Sequence, residues 1–281
     1  MQLILISGLS GAGKSVALHM LEDLGYYCVD NLPTSFLARI ILLYQKYNYQ
    51  RIAISVDTRS APMLSQLPAA MSSLRKHGFD VRLLFLDAQD ATLIRRYSET
   101  RRRHPLSQQG LTIPECIAKE RDMLGDLHSL GHRIDTSALS ANQLRSWVRQ
   151  FADADTAPLT VLFQSFGFKH GVPLDADFVF DVRCLPNPYY DPTLRPLTGQ
   201  DEPVAAFLAQ QATVEQMYQD IHQFVHRWLP QFNHDNRSYL TISIGCTGGQ
   251  HRSVYLAERL SRAFPNEQVL LRHRQLPPAQ E

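Results

Sequence analysis

Gly8-Leu9-Ser10-Gly11-Ala12-Gly13-Lys14-Ser15 follows an apolar run at residues 3–6 and precedes the amphipathic stretch Val16-Ala17-Leu18-His19-Met20-Leu21. The octet satisfies GxxxxGKS at every specified position, in the strand, loop and helix context that separates a phosphate loop from a chance glycine-rich turn. Its glycines let the backbone turn tightly enough to aim N–H groups at phosphate oxygens. Lys14 is spaced to reach the β and γ phosphates, and the Ser15 hydroxyl to ligate Mg²⁺. A helix beginning near Gly13 adds the positive end of its dipole. No base-reading NKxD motif occurs in the chain, so ATP and GTP both stay open.

A length of 281 residues predicts one large or two ordinary domains. The net charge of +1 gives no global attraction to nucleic acid, so any RNA or DNA binding must come from local patches. The first eight residues lack a charged segment and run straight into the loop, so a cleaved secretory signal would remove the site. No run approaches a membrane span. Cys28, Cys116, Cys184 and Cys246 are widely spaced and make neither a zinc pattern nor a disulfide framework. The expectation is a cytoplasmic protein with no membrane partner.

Apolar runs at 3–6, 27–29, 52–56, 83–86 and 132–134 alternate with longer amphipathic stretches, the βαβ rhythm of an α/β domain with a covered parallel sheet. Asp30, Asp57, Asp87 and Asp135 stand at or just past the strand ends, where such sheets bind ligands. Asp57 and Asp87 are the two candidates for a magnesium-organising acid, each with helix capping as the alternative. Asp57 is preferred, and with Thr58, Arg59 and Ser60 it joins the expected nucleotide contacts. Arg95, Arg96, Arg101, Arg102 and Arg103 read first as a phosphate-clamping lid, with an RNA-facing patch and a solvated surface as the alternatives. A small, acidic stretch at 151–158 predicts the boundary between a domain at 1–152 and a smaller α/β domain at 158–281. Strands are expected there near 159–164, 178–182 and 239–244, with helices near 203–211, 214–229 and 252–263.

A second loop, Gly245-Cys246-Thr247-Gly248-Gly249-Gln250-His251-Arg252-Ser253, also leads from a strand to a helix. The spacing from Cys246 to Arg252 and Ser253 is that of cysteine-dependent phosphatases, in which loop N–H groups and the arginine cradle a phosphate. Gly245 stands where those enzymes carry a histidine, and no general-acid aspartate is assignable. Phosphate or phosphosugar recognition, catalysis by Cys246 and a structural turn are the three readings. The segments 165–171, with His170, and 181–190, with Arg183 and Asn187, are polar and aromatic loops expected to converge on it.

With these residues in view, the chain resembles the RapZ family of nucleotide-binding RNase adapter proteins, also called the YvcJ family, over nearly its whole length. The resemblance rests on 8–15 with Val16-Ala17-Leu18, Tyr27-Cys28-Val29-Asp30-Asn31-Leu32-Pro33, Leu84-Phe85-Leu86-Asp87-Ala88 and Leu93-Ile94-Arg95-Arg96-Tyr97-Ser98. In the second half it rests on Ser165-Phe166-Gly167-Phe168-Lys169-His170-Gly171, Phe180-Asp181-Val182-Arg183, Leu185-Pro186-Asn187-Pro188 and Gly245-Cys246-Thr247-Gly248-Gly249. It implies a kinase-like N-terminal domain that binds and slowly hydrolyses ATP or GTP with Mg²⁺, and a C-terminal domain that binds RNA. The implied partners are a regulatory small RNA, RNase E, the phosphosugar glucosamine-6-phosphate and further copies of the chain. Members that bind RNA carry a lysine- and arginine-rich tail and a lysine before the loop histidine, whereas this chain has Gln250 and ends Arg274-Gln-Leu-Pro-Pro-Ala-Gln-Glu281. Arg272 and Arg274 are the expected remaining RNA contacts of the tail, beside Arg259 and Arg262 on the preceding helix. The alternatives in other classes are a small-molecule kinase or metabolite-sensing NTPase without RNA binding, and a cysteine phosphatase.

Overall fold

The computed structural model describes residues 1–58, 66–107, 110–153, 159–234 and 239–277. The chain divides into two units, Met1–Thr156 and Ala157–Glu281.

In the first unit the elements are β1 (Gln2–Gly8), α1 (Lys14–Asp23), β2 (Tyr27–Val29), α2 (Leu37–Lys46), β3 (Arg51–Ser55), α3 (Leu67–Lys76) and β4 (Asp80–Asp87), then α4 (Asp90–Thr100), α5 (Ile113–Leu124), β5 (His132–Asp135) and α6 (Ala141–Asp153). The strands form one parallel sheet in the order β2-β3-β1-β4-β5. Central β1 pairs Leu3 with both Ile52 and Val81. Leu3, Ile4, Leu5 and Ile6 are fully buried, because a parallel strand covered on both faces reads as a continuous apolar run. The chain leaves β1 toward one side of the sheet and later crosses to the other, so the loop after β1 sits where the winding reverses.

The second unit contains β6 (Thr160–Gly167), β7 (Phe178–Asp181), α7 (Glu202–Ala209), α8 (Ala212–His234), β8 (Tyr239–Cys246), α9 (Arg252–Ser261) and β9 (Gln268–His273). Its sheet is also parallel, in the order β7-β8-β6-β9. Every residue of β6 is buried, and Phe163, Ile242, Leu256, Leu260 and Phe264 belong to one core with Val225 from α8. The expected strands and helices lie within a few residues of these elements. Strand β9 has no counterpart among them: it is an edge strand with only partly buried apolar residues, and it ends in Arg272-His273. No described helix is long and apolar enough to cross a membrane.

Candidate functional site

The loop between β1 and α1 needs glycine at its first position. Gly8 has φ +133°, and a Cβ there would lie 2.0 Å from the Leu86 carbonyl oxygen. Lys14 Nζ donates to Gly8 O at 2.7 Å. Arg96 Nη1 donates to Gly11 O at 3.0 Å, and its Nη2 to Thr136 O at 2.7 Å. The Thr136 hydroxyl donates to Ala12 O at 2.9 Å. These carbonyls are tied to protein donors, and Leu9 N, Ala12 N and Ser10 N are likewise spent, on Leu86 O, Leu9 O and Glu120, so an anion would fall to the other N–H groups of the loop, such as those of Gly11, Gly13 and Ser15. Leu9 and Ala12 bury their side chains and spend their N–H groups on Leu86 O and Leu9 O, so they shape the loop rather than face an anion.

A cavity of about 410 Å³ opens beside the loop, within the size range of small-molecule sites. Ser10, Gly11, Gly13, Lys14, Ser15 and Asp57 line it, together with Arg96, Tyr97, Thr100, Arg102 and Arg103. Asp57 therefore shares a cavity with Ser15 and Lys14, two oxygen ligands suited to a magnesium ion carried by a nucleotide beside a cation suited to its phosphates. Asp87 does not line that cavity. Its carboxylate accepts hydrogen bonds from Arg121 Nη1 at 3.0 Å, from Arg133, and from Ala88 N at 2.7 Å. Asp30 is exposed, and Asp135 accepts from the backbone N–H of Ser137 at 2.9 Å. Arg59 and Ser60 lie outside the described residues.

One residue of this site escapes sequence reasoning. Glu120, fully buried on α5, accepts from Ser10 N and Ser10 Oγ at 2.8 Å each and from Thr58 Oγ1 at 3.0 Å. Its Oε2 also meets His104 Nε2 at 3.1 Å. His104 Nδ1 accepts from Leu106 N, so the proton sits on Nε2, which donates to Glu120. Burial raises the Glu120 pKa, but the donors His104 and Ser10 and the nearby Lys14 charge outweigh it and hold the carboxyl below the usual range. The available signal was a glutamate on the buried face of an amphipathic helix, with Cys116, Ile117 and Leu124.

The arginines after β4 separate by role. Arg95 is exposed and pairs loosely with Glu99, and Arg101 takes φ +52° at the C-cap of α4. Arg96 braces the P-loop, whereas Arg102 and Arg103 line its cavity.

In the second unit, β8 runs into the Cys246 loop and α9 starts at Arg252. Gly249 has φ +76°, and a Cβ there would lie 2.7 Å from the Gly167 nitrogen. At Gly245 a Cβ would meet the Phe166 and Phe168 rings at 2.5 Å, which accounts for glycine in place of a histidine. The Cys246 sulfur, 3% exposed, accepts from Gly249 N at 3.2 Å and lies 3.1 Å from Ser253 Oγ. Burial raises the thiol pKa, but the Ser253 hydroxyl and the backbone N–H groups of Ser253, Gly249 and His251 outweigh it and hold the thiol below its usual range. Loop N–H groups thus gather around the Cys246 sulfur.

The buried Arg252 guanidinium donates from Nη1 to Arg183 O at 2.7 Å and Leu185 O at 2.9 Å, and from Nη2 to Thr247 Oγ1 at 3.4 Å. Arg252 Nε and His251 Nε2 are buried and have no hydrogen-bond partner among the described residues. Lys169 N donates to Thr247 O at 3.3 Å, so the segments around 169, 183 and 247 meet as expected. Gly248 closes this stretch beside the Lys169 side chain. Arg183 pairs with Asp181 and stacks 4.1 Å over Phe168. His170 is exposed, and Asn187 caps the short turn at 188–190 by accepting from Tyr189 N. Asp181 is a poor proton donor, because hydrogen bonds from Arg183 hold its carboxyl low.

Arg272 and Arg274 are not surface cations. They are 2% and 5% exposed, and Arg274 Nη1 lies 3.7 Å from the buried carboxylate of Asp175. Burial lowers the Arg272 pKa to about 10. The expectation that these two arginines reach out to RNA is corrected accordingly: β9 turns them into the domain.

A family profile described as the RapZ-like N-terminal domain matches residues 1–156, and one described as the RapZ C-terminal domain matches 159–277. A "Nucleotide-binding protein" of Chromobacterium violaceum is 62% identical over 276 residues, 98% of this chain and 99% of that protein. One of Methylobacillus flagellatus is 60% identical over 98% of this chain and 99% of that protein. Among solved structures, a gluconokinase from Sinorhizobium meliloti aligns with 52% of this chain and 89% of its own, at 15% identity and a TM-score of 0.37. A shikimate kinase from Bacteroides thetaiotaomicron aligns with 54% and 96%, at 15% identity and a TM-score of 0.38. Both units are covered by the two profiles and the relatives match nearly end to end, so the chain belongs to the RapZ family of nucleotide-binding proteins.

Proposed function

We propose that the protein is a nucleotide-responsive adapter that binds a regulatory small RNA and a phosphosugar and presents the RNA to RNase E. The N-terminal unit takes ATP or GTP at the P-loop. Lys14 meets the phosphates, and Ser15 with Asp57 would hold the magnesium ion, which neutralises phosphate charge. The C-terminal unit takes the phosphosugar, glucosamine-6-phosphate by family analogy, at the Cys246 loop.

The observation that carries this reading is the second loop. Backbone N–H groups gather around Cys246, and two buried side-chain nitrogens, Arg252 Nε and His251 Nε2, have no hydrogen-bond partner among the described residues. An anion would satisfy such groups. RNA contacts fall to exposed cations of the same unit, Lys169, Arg183, Arg195, Arg227 and Arg262, rather than to Arg272 and Arg274.

The test is in-cell crosslinking of the tagged protein followed by sequencing of bound RNA, comparing wild type with Thr247→Ala and Arg252→Ala. Enrichment of one or a few small RNAs, altered in the variants, is the expected result. No enrichment above background would remove the adapter role and favour a small-molecule kinase or a metabolite-sensing NTPase.

A further inference from the structure

Among the described residues the cavity beside the P-loop is lined by Lys14, Arg96, Arg102 and Arg103 against the single carboxylate of Asp57, so positive charge prevails among them. These cations are differently committed. Arg96 spends its guanidinium on Gly11 O and Thr136, and Lys14 reaches back to Gly8 O. Arg102 and Arg103 are exposed side chains with no hydrogen-bond or ion-pair partner among the described residues.

The segment that carries them is fixed at both ends to the loop it faces. On one side, Arg96 of α4 holds the Gly11 carbonyl. On the other, His104 is completely buried and donates to Glu120, whose carboxylate also takes the Ser10 N–H, the Ser10 hydroxyl and the Thr58 hydroxyl. Thr58 directly follows Asp57, so one carboxylate ties together the P-loop, the end of the strand bearing the acid and the arginine segment. Such a fully bonded buried network fixes geometry more tightly than its separate bonds would.

We propose that Arg102 and Arg103 contact the terminal phosphate of the nucleotide, and that Glu120 is the positioning residue that ties their segment to the P-loop. This deepens the nucleotide reading of the site and rests on it. A guanidinium meets phosphate oxygens with paired, directed N–H bonds, and its strength toward a terminal phosphate depends on being held at the right distance. The site then distinguishes triphosphate from diphosphate through residues that lie outside GxxxxGKS.

The test is calorimetric titration of the full chain with the di- and triphosphates of adenosine and guanosine in Mg²⁺, on wild type, Arg102→Ala, Arg103→Ala, Glu120→Gln, His104→Leu and His104→Gln. Melting curves check that each variant folds. Wild type is expected to prefer triphosphate over diphosphate by about tenfold or more, the size of one charge-assisted contact. The two arginine variants should lose most of that preference while keeping diphosphate affinity within about twofold. Glu120→Gln replaces a charged acceptor by a neutral amide, weakening the hold on the Ser10, Thr58 and His104 donors, and should lose much of the preference although it lies outside the cavity. His104→Leu should behave in the same way, and His104→Gln, which can still donate to Glu120, should restore it. If Glu120→Gln does not fold, the two His104 variants decide the positioning role. A wild-type preference in the arginine variants, or equal losses for both nucleotides in the Glu120 and His104 variants, overturns the proposal. Wild type binding no nucleotide removes the nucleotide reading and this proposal with it.

Discussion

The groups around Cys246 that would hold a phosphate also lower the pKa of its thiol, and this fixes how its surroundings respond to pH. Ser253 and the N–H groups of Gly249, His251 and Ser253 lower its pKa against the opposing effect of burial, whereas the unfolded chain carries an ordinary thiol titrating near ~8.5. Between the two values the unfolded state binds the proton and the folded state does not, so stability rises with pH across that window. The contribution is complete above the unfolded value and is lost as pH falls through the folded one. Melting curves of wild type and Cys246→Ser from pH 6 to pH 9.5 should therefore diverge, with wild type gaining relative to the variant as pH increases. Parallel curves would show that the sulfur is an ordinary buried thiol. The same sulfur bears on chemistry: its low exposure and the low pKa of Asp181 leave it without a partnered acid, as the proposed recognition role requires. Undiminished turnover of a phosphoester by Cys246→Ser would confirm that division, and loss of turnover would restore the phosphatase reading.

Helix α5 shows how an element set by local rules can carry a residue set by the tertiary structure. Its start is a capping box: Thr112 accepts from the backbone of Glu115, and Glu115 Oε2 accepts from Thr112 N at 2.8 Å, with Pro114 in the first turn. That pattern is legible in Thr-Ile-Pro-Glu. Thr112→Ala should lower the melting midpoint of the N-terminal unit by a few degrees and leave that of the C-terminal unit unchanged, as differential scanning calorimetry would resolve. A shift in both transitions would contradict it. Glu120, two turns further along, was not legible, because its four donors come from β1, β3 and α4 loops far away in sequence. Strands β1, β4 and β6 were legible because burial on both faces leaves continuous apolar runs, and β8 because Leu240, Ile242 and Ile244 alternate with Thr241 and Ser243. Edge strand β9 was not, since its apolar residues are only half-covered and its buried end is Arg272. The strand, loop and helix around residues 8–15 could be read from the sequence, whereas the surroundings of Arg96, Arg102 and Arg103 depend on which way each side chain leaves one short segment.

At the scale of the whole molecule, two units with separate cores each present a loop of backbone N–H groups between a parallel strand and a helix. One adapter that responds to both a nucleotide and a phosphosugar requires more than two independent sites. If either ligand changes the affinity of the other by a given factor, the reverse effect must have the same factor, because both describe one coupling free energy. Typical couplings correspond to about 5- to 150-fold. Titrating a non-hydrolysable triphosphate with and without saturating glucosamine-6-phosphate, and the sugar phosphate with and without triphosphate, should give equal ratios of at least about fivefold. Arg102→Ala is then informative at a distance. If the terminal phosphate is what the N-terminal unit senses, this variant should reduce both ratios together while leaving sugar-phosphate affinity in the absence of nucleotide unchanged. Superimposable curves for the wild type would mean that the two loops, if both bind, act as separate sites on one chain.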